Sequence, residues 1–514
     1  MSFKHTLLQE LLLITCASTS LSSLSSPARL RTRQTEGVSW ASCQEKVLAV
    51  VQCANFTVPL DYSDPGSDEM LTLQLVKIPA TVTPKKGTVF FNFGGPGAEA
   101  RGTLAANVRI FHALTSGEYD LVAFDPRGTA NTLTANCSNT PEEREQYVGV
   151  PMSVAPDTED VLALGSLWGQ VQIIENRCYN YPGFRERGSL MGTTFVARDI
   201  MQVVDAIEED GLLRYYGASY GTVIGATLAT MFPERIDRMV YDGVVNPHQY
   251  FNSYDLEGWE DWDRIFRSVL EECLKAPNLC PLAHRRDNVA DIERDIYKLL
   301  AQLRIEPIVA GTLLIYSSLV KTYLRFSLYS PPYTALTAGL EALLSGDATS
   351  FAEKYNRTLF FCADKKLPEQ TLVEMEPDLK AFEKASRLLG DAAFIQAMIC
   401  QHWRILSKER HEGDFNVATR NPMLIIGNTY DPVTPLRSAK NLTASFQNGV
   451  LLEHGGFGHG ITAQGSTCTI YAIRSYFQDG TLPEPGIVCE TDYSPYDPES
   501  ITTVPEGLGY MEGQ

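Results

Sequence analysis

The chain has 514 residues, 44% of them hydrophobic and 20% charged, so it can bury a large core and reads as globular over most of its length. Its 43 Lys and Arg against 62 Asp and Glu leave a formal net charge of −19, which argues against nucleic acid as a partner because phosphate binding needs clustered cations. Such acidity aids solubility, and it suits an extracellular setting or a cationic substrate such as a free N-terminal amine.

At the N-terminus, Lys4 and His5 precede Leu7, Leu8, Leu11, Leu12, Leu13 and Ile14, and small residues (Ala17, Ser18, Thr19, Ser20) follow. This is the pattern of a secretory signal over 1–20, interrupted by Gln9 and Glu10; the competing reading is an amphipathic or disordered end of a cytosolic chain. Residues 21–41, rich in Ser, Thr and Arg without apolar period, read as a flexible leader. No later run is long enough to span a bilayer, so a secreted, extracellular protein is expected.

Cysteine usage agrees with export. Cys16 lies in the signal, and the remaining ten fall in sequence-local pairs: Cys43 with Cys53, Cys137 with Cys178, Cys273 with Cys280, Cys362 with Cys400, and Cys468 with Cys489. Nearest-neighbour pairing is the simplest of many connectivities, which sequence does not fix. No CxxC motif offers a metal or redox use, and neither metal nor cofactor is expected. Sequons at Asn55, Asn136, Asn356 and Asn441 are candidate glycosylation sites.

From Ser42, β-rich runs alternate with helical patterns. Strands are expected at Gly87 to Phe93, Asp120 to Phe124, Leu213 to Tyr216, Arg238 to Tyr241, Met423 to Ile426 and Val450 to Leu452. Most are apolar at successive positions, as in a mostly parallel sheet with helices on both faces. Residues 42–245 form the first part of this core. The stretch 246–420 is far too long for a strand connection. Trp259, Trp262, Ile265, Phe266, Val269 and Leu270 recur at helical spacing, as do segments around Ile292 to Leu303 and Leu336 to Leu344, so a large, mainly helical cap is inserted here. Its aromatics read as cap core before they read as a ligand cage. The core resumes over 421–490, and 491–514 is an acidic, Pro-containing tail read as a surface extension or disordered.

Ligands of open α/β sheets bind at the carboxyl ends of strands, and the chemistry-bearing residues collect there. Gly217-Ala218-Ser219-Tyr220-Gly221 joins the strand LRYY to the helical run TVIGATLATMF, the context that a G-x-S-x-G nucleophile elbow requires. A serine hydroxyl is a poor nucleophile at neutral pH, so it needs a base, and the base needs an orienting carboxylate, in chain order Ser, acid, His. Asp431 follows MLII in the Pro-stiffened turn GNTYDPVTP, and His459 follows the next strand in the Gly-rich loop EHGGFGHG. His454 is a rival base at the strand edge, and Asp242, after RMVY, is a rival acid read as structural. Asn92-Phe93-Gly94-Gly95-Pro96-Gly97 follows GTVFF, where an oxyanion loop belongs; one donor is assigned to the N–H of Tyr220 and the other to Gly95 or its neighbour Gly94. Asp125-Pro126-Arg127-Gly128 is expected to shape the site through an internal ion pair. Together these features describe an α/β-hydrolase fold with the triad Ser219, Asp431 and His459.

The motifs FNFGGPG, FDPRG, GTTFVARDI through YYGASYGTVIGATLATMFPERIDRMVYDGVVNP, NTYDPVTP and GFGHG, with the last cysteine pair, span Ser42 to Glu490. On these residues the chain resembles the secreted tripeptidyl aminopeptidases of the α/β-hydrolases, relatives of the proline iminopeptidases. The resemblance implies an exopeptidase that holds a free N-terminal amine with cap acids and releases short peptides through an acyl-enzyme. Two segments depart from the pattern and bear on substrate class: Ala98-Glu99-Ala100-Arg101 after the oxyanion loop, and Thr129-Ala130-Asn131-Thr132 after DPRG. The alternative is an esterase, lactonase or amide hydrolase acting on small molecules with the same triad. A non-catalytic binding module fits poorly, since every catalytic position is filled. The protein is read as a monomer acting on a peptide or small-molecule substrate.

Overall fold

The computed structural model describes residues 37–43, 50–134, 137–138, 140, 161–208, 210–311, 313–352, 362 and 364–500. The expected signal, most of the leader, the sequons' Asn136 and Asn356, and residues 501–514 lie outside the described residues.

Seven strands precede the cap: β1 (Ala41–Ser42), β2 (Gln52–Pro59), β3 (Met70–Ile78), β4 (Thr88–Asn92), β5 (Asp120–Phe124), β6 (Leu213–Ala218) and β7 (Ile236–Asp242). The cap carries a small antiparallel hairpin, β8 (Ile308–Ala310) with β9 (Leu313–Ile315). Three strands follow: β10 (Met423–Tyr430), β11 (Gly449–Phe457) and β12 (Val488–Cys489). The main sheet has the order β1-β2-β3-β5-β4-β6-β7-β10-β11-β12. It is antiparallel from β1 to β5 and parallel from β5 onward.

The period of two along a strand sends alternate residues to opposite faces, and here both faces are covered. Phe90, Tyr215, Tyr241 and Ile425 pack against the helices Thr193–Ile207, Tyr220–Met231 and Leu436–Ser445. Their neighbours Val89, Phe91, Tyr216, Leu424 and Ile426 pack on the other side against Val108–Thr115 and Thr467–Asp479. Each fully buried side chain of this size contributes about 1.5–3 kcal/mol by leaving water. This is the α/β-hydrolase fold.

Between Pro247 and Gln401 the chain is mainly helical, with its own apolar cluster. In the helix Trp262–Lys275, Trp262, Ile265, Phe266, Val269, Leu270 and Cys273 are all buried, as a 3.6-residue period dictates. Trp259 and Trp262 stack at 6.0 Å within this core. The earlier helix Val161–Asn180 also joins it, through Leu164, Leu167 and Val171, although it precedes β6 in the chain.

The root of the cap is fastened by Glu257. Its Oε1 accepts from Ser438 Oγ (2.7 Å), and its Oε2 accepts from Asn441 Nδ2 (2.8 Å) and Asn246 Nδ2 (3.2 Å). The amide nitrogen to which a glycan on Asn441 would be attached therefore already serves this buried carboxylate, whereas Asn55 lies exposed on β2.

Residues 492–500 differ from the expected loose tail. Tyr496 is fully buried, its hydroxyl donates to Val269 O (3.2 Å), and Tyr333 N–H donates to Pro495 O (3.1 Å). One anchoring side chain creates no apolar period, which is why the pattern of the segment did not reveal it. Disulfides join the five sequence-local cysteine pairs. Among the described residues, no helix is long and apolar enough to cross a membrane.

Candidate active site

Ser219 stands alone between the end of β6 and the helix that begins at Tyr220, at φ 55° and ψ −126°. This region is strained for a residue with a Cβ, and it turns the side chain out of the sheet's carboxyl edge. Its N–H donates to Asp242 O (2.9 Å), tying the turn to the end of β7. The tightness explains the glycines. A Cβ on Gly221 would stand 2.5 Å from Asn92 O, and one on Gly94, at φ +86°, would stand 2.7 Å from both Ala218 O and Ser219 Cβ.

The loops after β10 and β11 meet beside this turn. His459 Nδ1 lies 2.9 Å from Asp431 Oδ2 and 3.2 Å from Oδ1. The carboxylate is fully buried, and fixed donors surround it: Val433 N–H (2.8 Å) and Thr434 N–H (2.9 Å) on Oδ1, Thr434 Oγ (2.7 Å) and Gly460 N–H (3.2 Å) on Oδ2. Such a carboxylate cannot swing away, and as an acceptor only it obliges Nδ1 to carry the imidazole proton, leaving Nε2 with its lone pair free. The ring is seated against Gly243, where a Cβ would come within 3.2 Å of His459 Cε1. The Ser219 backbone and the His459 ring thus both lie against the end of β7, at Asp242 and Gly243 respectively. Burial alone would lower the His459 pKa, but the Asp431 charge and hydrogen bond outweigh it and hold the imidazole above its ordinary value.

Two supports of His459 carried no sequence signal. The Thr434 hydroxyl lies 3.1 Å from Nδ1, and Tyr329, from the cap, accepts from His459 N–H at 2.7 Å and places its ring edge-on at 5.6 Å.

The Gly-rich loop after β4 approaches the elbow directly. Gly94 N–H donates to Asn92 Oδ1 (3.0 Å), so of the two candidate amides Gly94 is already engaged within the loop. Tyr220 is the first residue of its helix, where a backbone N–H has no acceptor within the helix. Its phenol oxygen is 2.7 Å from Thr193 Oγ, which is held in turn by Asp364 of the cap.

The rivals occupy other roles. Asp242 is buried beside the His459 loop and accepts from Tyr216 Oη (2.6 Å) and Ile461 N–H (2.9 Å); burial pushes its pKa up to about 6 despite those hydrogen bonds. It does not touch the imidazole nitrogens as Asp431 does. His454 is fully buried, with Nδ1 2.9 Å from Thr469 Oγ, and burial pushes its pKa down to about 4. The ion pair of the DPRG segment is not internal: Arg127 reaches Asp199 in the helix Thr193–Ile207 (Nε to Oδ2 2.7 Å), whereas Asp125 accepts from Arg101 N–H (3.2 Å). Of the divergent segment after the oxyanion loop, Arg101 is anchored, its Nη1 donating to Gln74 Oε1 at 3.0 Å.

Residues 386–489 match the sequence profile of the TAP-like protein family. Over most of its length the chain is similar to serine protease Hip1 of Mycobacterium tuberculosis, at 28% identity across 88% of this chain and 91% of that one. Similarity to a tripeptidyl aminopeptidase of Streptomyces lividans is 26%, covering 89% and 88%, and to carboxylesterase B of M. tuberculosis 26%, covering 88% and 89%. With the fold and the elbow already described, the chain is a serine hydrolase of the α/β-hydrolase fold whose residues 386–489 are similar to the TAP-like family.

Proposed function

We propose that this chain is a secreted aminopeptidase that releases short peptides, tripeptides among them, from free N-termini through an acyl-enzyme on Ser219. His459 Nε2 takes the Ser219 hydroxyl proton as Oγ attacks the scissile carbonyl carbon. The oxyanion that forms accepts from the N–H groups of Gly95 and Tyr220. His459 then passes the proton to the leaving amine as the C–N bond breaks. Water enters and gives a proton to His459 as its oxygen attacks the acyl carbon; the acyl carbon–Oγ bond then breaks and His459 returns that proton to Ser219 Oγ, restoring the resting enzyme. Asp431 holds the imidazole in the required tautomer and stabilises its charged form.

The observation that carries this reading is the 2.9 Å contact from His459 Nδ1 to a carboxylate fixed by three backbone amides, beside the end of β7 that the Ser219 backbone also meets. The peptidase assignment draws on the relatives named tripeptidyl aminopeptidase and serine protease. Export accords with the five disulfides and the apolar N-terminus. An esterase acting on small molecules is the second reading, favoured by the comparable similarity to a carboxylesterase.

The test combines labelling by a fluorophosphonate, which is lost in Ser219→Ala, with turnover of tripeptidyl and aminoacyl chromogenic amides, free and N-acetylated, and of short-chain esters. Cleavage of free-amine tripeptidyl amides, and not of their acetylated forms, is the expected result. Turnover of esters alone refutes the peptidase reading and keeps the hydrolase.

A further inference from the structure

The helix Thr193–Ile207 begins with Gly192 as its N-cap, a residue with no side chain to satisfy the first amides. The partner arrives from a point 171 residues later. Asp364, 2% exposed, accepts from Thr193 N–H at 3.1 Å and from Thr193 Oγ at 2.5 Å. Gly192 makes room for it, since a Cβ there would lie 2.9 Å from Asp364 Oδ1.

The direction of these bonds matters. An ionised carboxylate only accepts, so the Thr193 hydroxyl donates to Asp364, and its remaining lone pair accepts from Tyr220 Oη at 2.7 Å. Tyr250 Oη adds a weaker bond to Asp364 at 3.4 Å, and its ring packs on that of Tyr220 at 5.6 Å. Tyr220 is therefore fixed at both ends. Its backbone forms the turn after Ser219, and its buried phenol is locked through Thr193 to Asp364. A tyrosine side chain has two rotatable bonds, so fixing the phenol limits how the backbone of the same residue can rotate.

Asp364 belongs to a strap that is itself pinned. Lys366 N–H donates to Phe251 O (3.0 Å), Lys365 Nζ donates to Tyr250 O (3.2 Å), and Cys362 is bonded to Cys400 in the helix Gly390–Gln401.

We propose that Asp364 is a positioning residue: by clamping Thr193 and, through it, the phenol of Tyr220, it sets the direction in which the Tyr220 backbone N–H faces the oxyanion formed at Ser219. The inference rests on the hydrolase reading and not on the choice of peptide or ester. It makes the cap a part of the catalytic machinery as well as a roof over it. Asp364 is a positioning and not a catalytic residue in this proposal, because it is buried and acts through Thr193 and Tyr220.

The experiment uses the full chain with a short-chain chromogenic ester and a free-amine tripeptidyl chromogenic amide, and fluorophosphonate titration to count competent molecules. In Asp364→Asn an amide NH2 faces donors that previously met a carboxylate oxygen, and kcat per titrated site falls by about 10- to 100-fold with KM little changed. The rate of phosphonylation falls in parallel, since that reaction also places an oxygen among the same donors. Thr193→Val and Tyr220→Phe give losses of the same kind, and the double variant Asp364→Asn with Thr193→Val is no worse than the poorer single variant. A purely structural role predicts a lower unfolding midpoint with unchanged kcat per titrated site, and that result overturns the proposal. A rise in KM confined to free-amine substrates, with kcat intact, also overturns it, by making Asp364 a substrate contact. A wild-type chain that neither labels nor hydrolyses overturns the hydrolase reading and this inference together.

Discussion

Replacing Asp431 with Asn changes one atom and leaves the volume of the loop untouched. Oδ1 meets two backbone amides, Val433 and Thr434, which cannot turn round, so the Asn carbonyl oxygen must take that place. The new NH2 then occupies the Oδ2 position, facing His459 Nδ1 at 2.9 Å. The Thr434 hydroxyl can rotate to accept and the single Gly460 N–H is left facing a donor, but Nδ1 must give up its proton to accept as well. The proton moves to Nε2, and the lone pair that should receive the Ser219 proton disappears. A base locked in the wrong tautomer costs about 10⁴ in kcat, or about 5.5 kcal/mol of transition-state stabilisation. The assay is kcat and kcat/KM on a chromogenic substrate across pH, with thermal unfolding alongside to show that the fold persists. Base catalysis needs neutral His459, so the wild-type acid limb lies at the raised imidazole pKa; without the Asp431 charge, that limb moves to lower pH while the plateau falls. Retention of more than about a tenth of kcat, with a larger loss in Asp242→Asn, would refute the assignment and make Asp242 the acid.

Asp242→Asn makes the opposite prediction for stability. Burial raises the folded-state pKa of Asp242 to about 6, above its unfolded value, so the protonated form suits the fold and stability declines as pH rises from about 4 to about 6. That rise corresponds to about 3 kcal/mol, and Asn mimics the neutral form, so the variant is more stable than wild type by about 1–3 kcal/mol at pH 7.5, with the gap closing below pH 4 in urea titrations. His454→Asn keeps kcat within about threefold of wild type, while His459→Asn loses at least about 1,000-fold, measured on the same substrate. Gly94→Ala forces a Cβ against Ala218 O and Ser219 Cβ at a left-handed backbone angle; it lowers stability by about 1–3 kcal/mol and slows fluorophosphonate labelling, both read on the purified variant.

What sequence could reveal here follows from what leaves a local pattern. β4, β5 and β10 are buried on both faces and show as continuous apolar runs, and each ends in turn residues that mark the sheet's functional edge. The positions of Ser219, Asp431 and His459 could be read for that reason. β2 and β3, at the antiparallel edge, mix exposed, half-buried and buried residues and give a weaker signal. Arg127 with Asp199, Asp364 with Thr193, Glu257 with Asn441 and Tyr496 with Val269 were invisible. Each joins points far apart in the chain through a single side chain, and one residue makes no period. The helix Val161–Asn180 shows the same limit at larger scale, because amphipathicity reports that a face is buried and not which body buries it.

Glu257 fixes the start of the inserted region to Ser438 and Asn441, on the helix that begins directly after the Asp431 loop. The root of the insertion and the helix that follows the proposed acid's loop are thereby joined through one carboxylate. Changes far out on the insertion can reshape what the enzyme admits while the reacting groups stay aligned, whereas a lesion at this bolt would loosen admission and chemistry together.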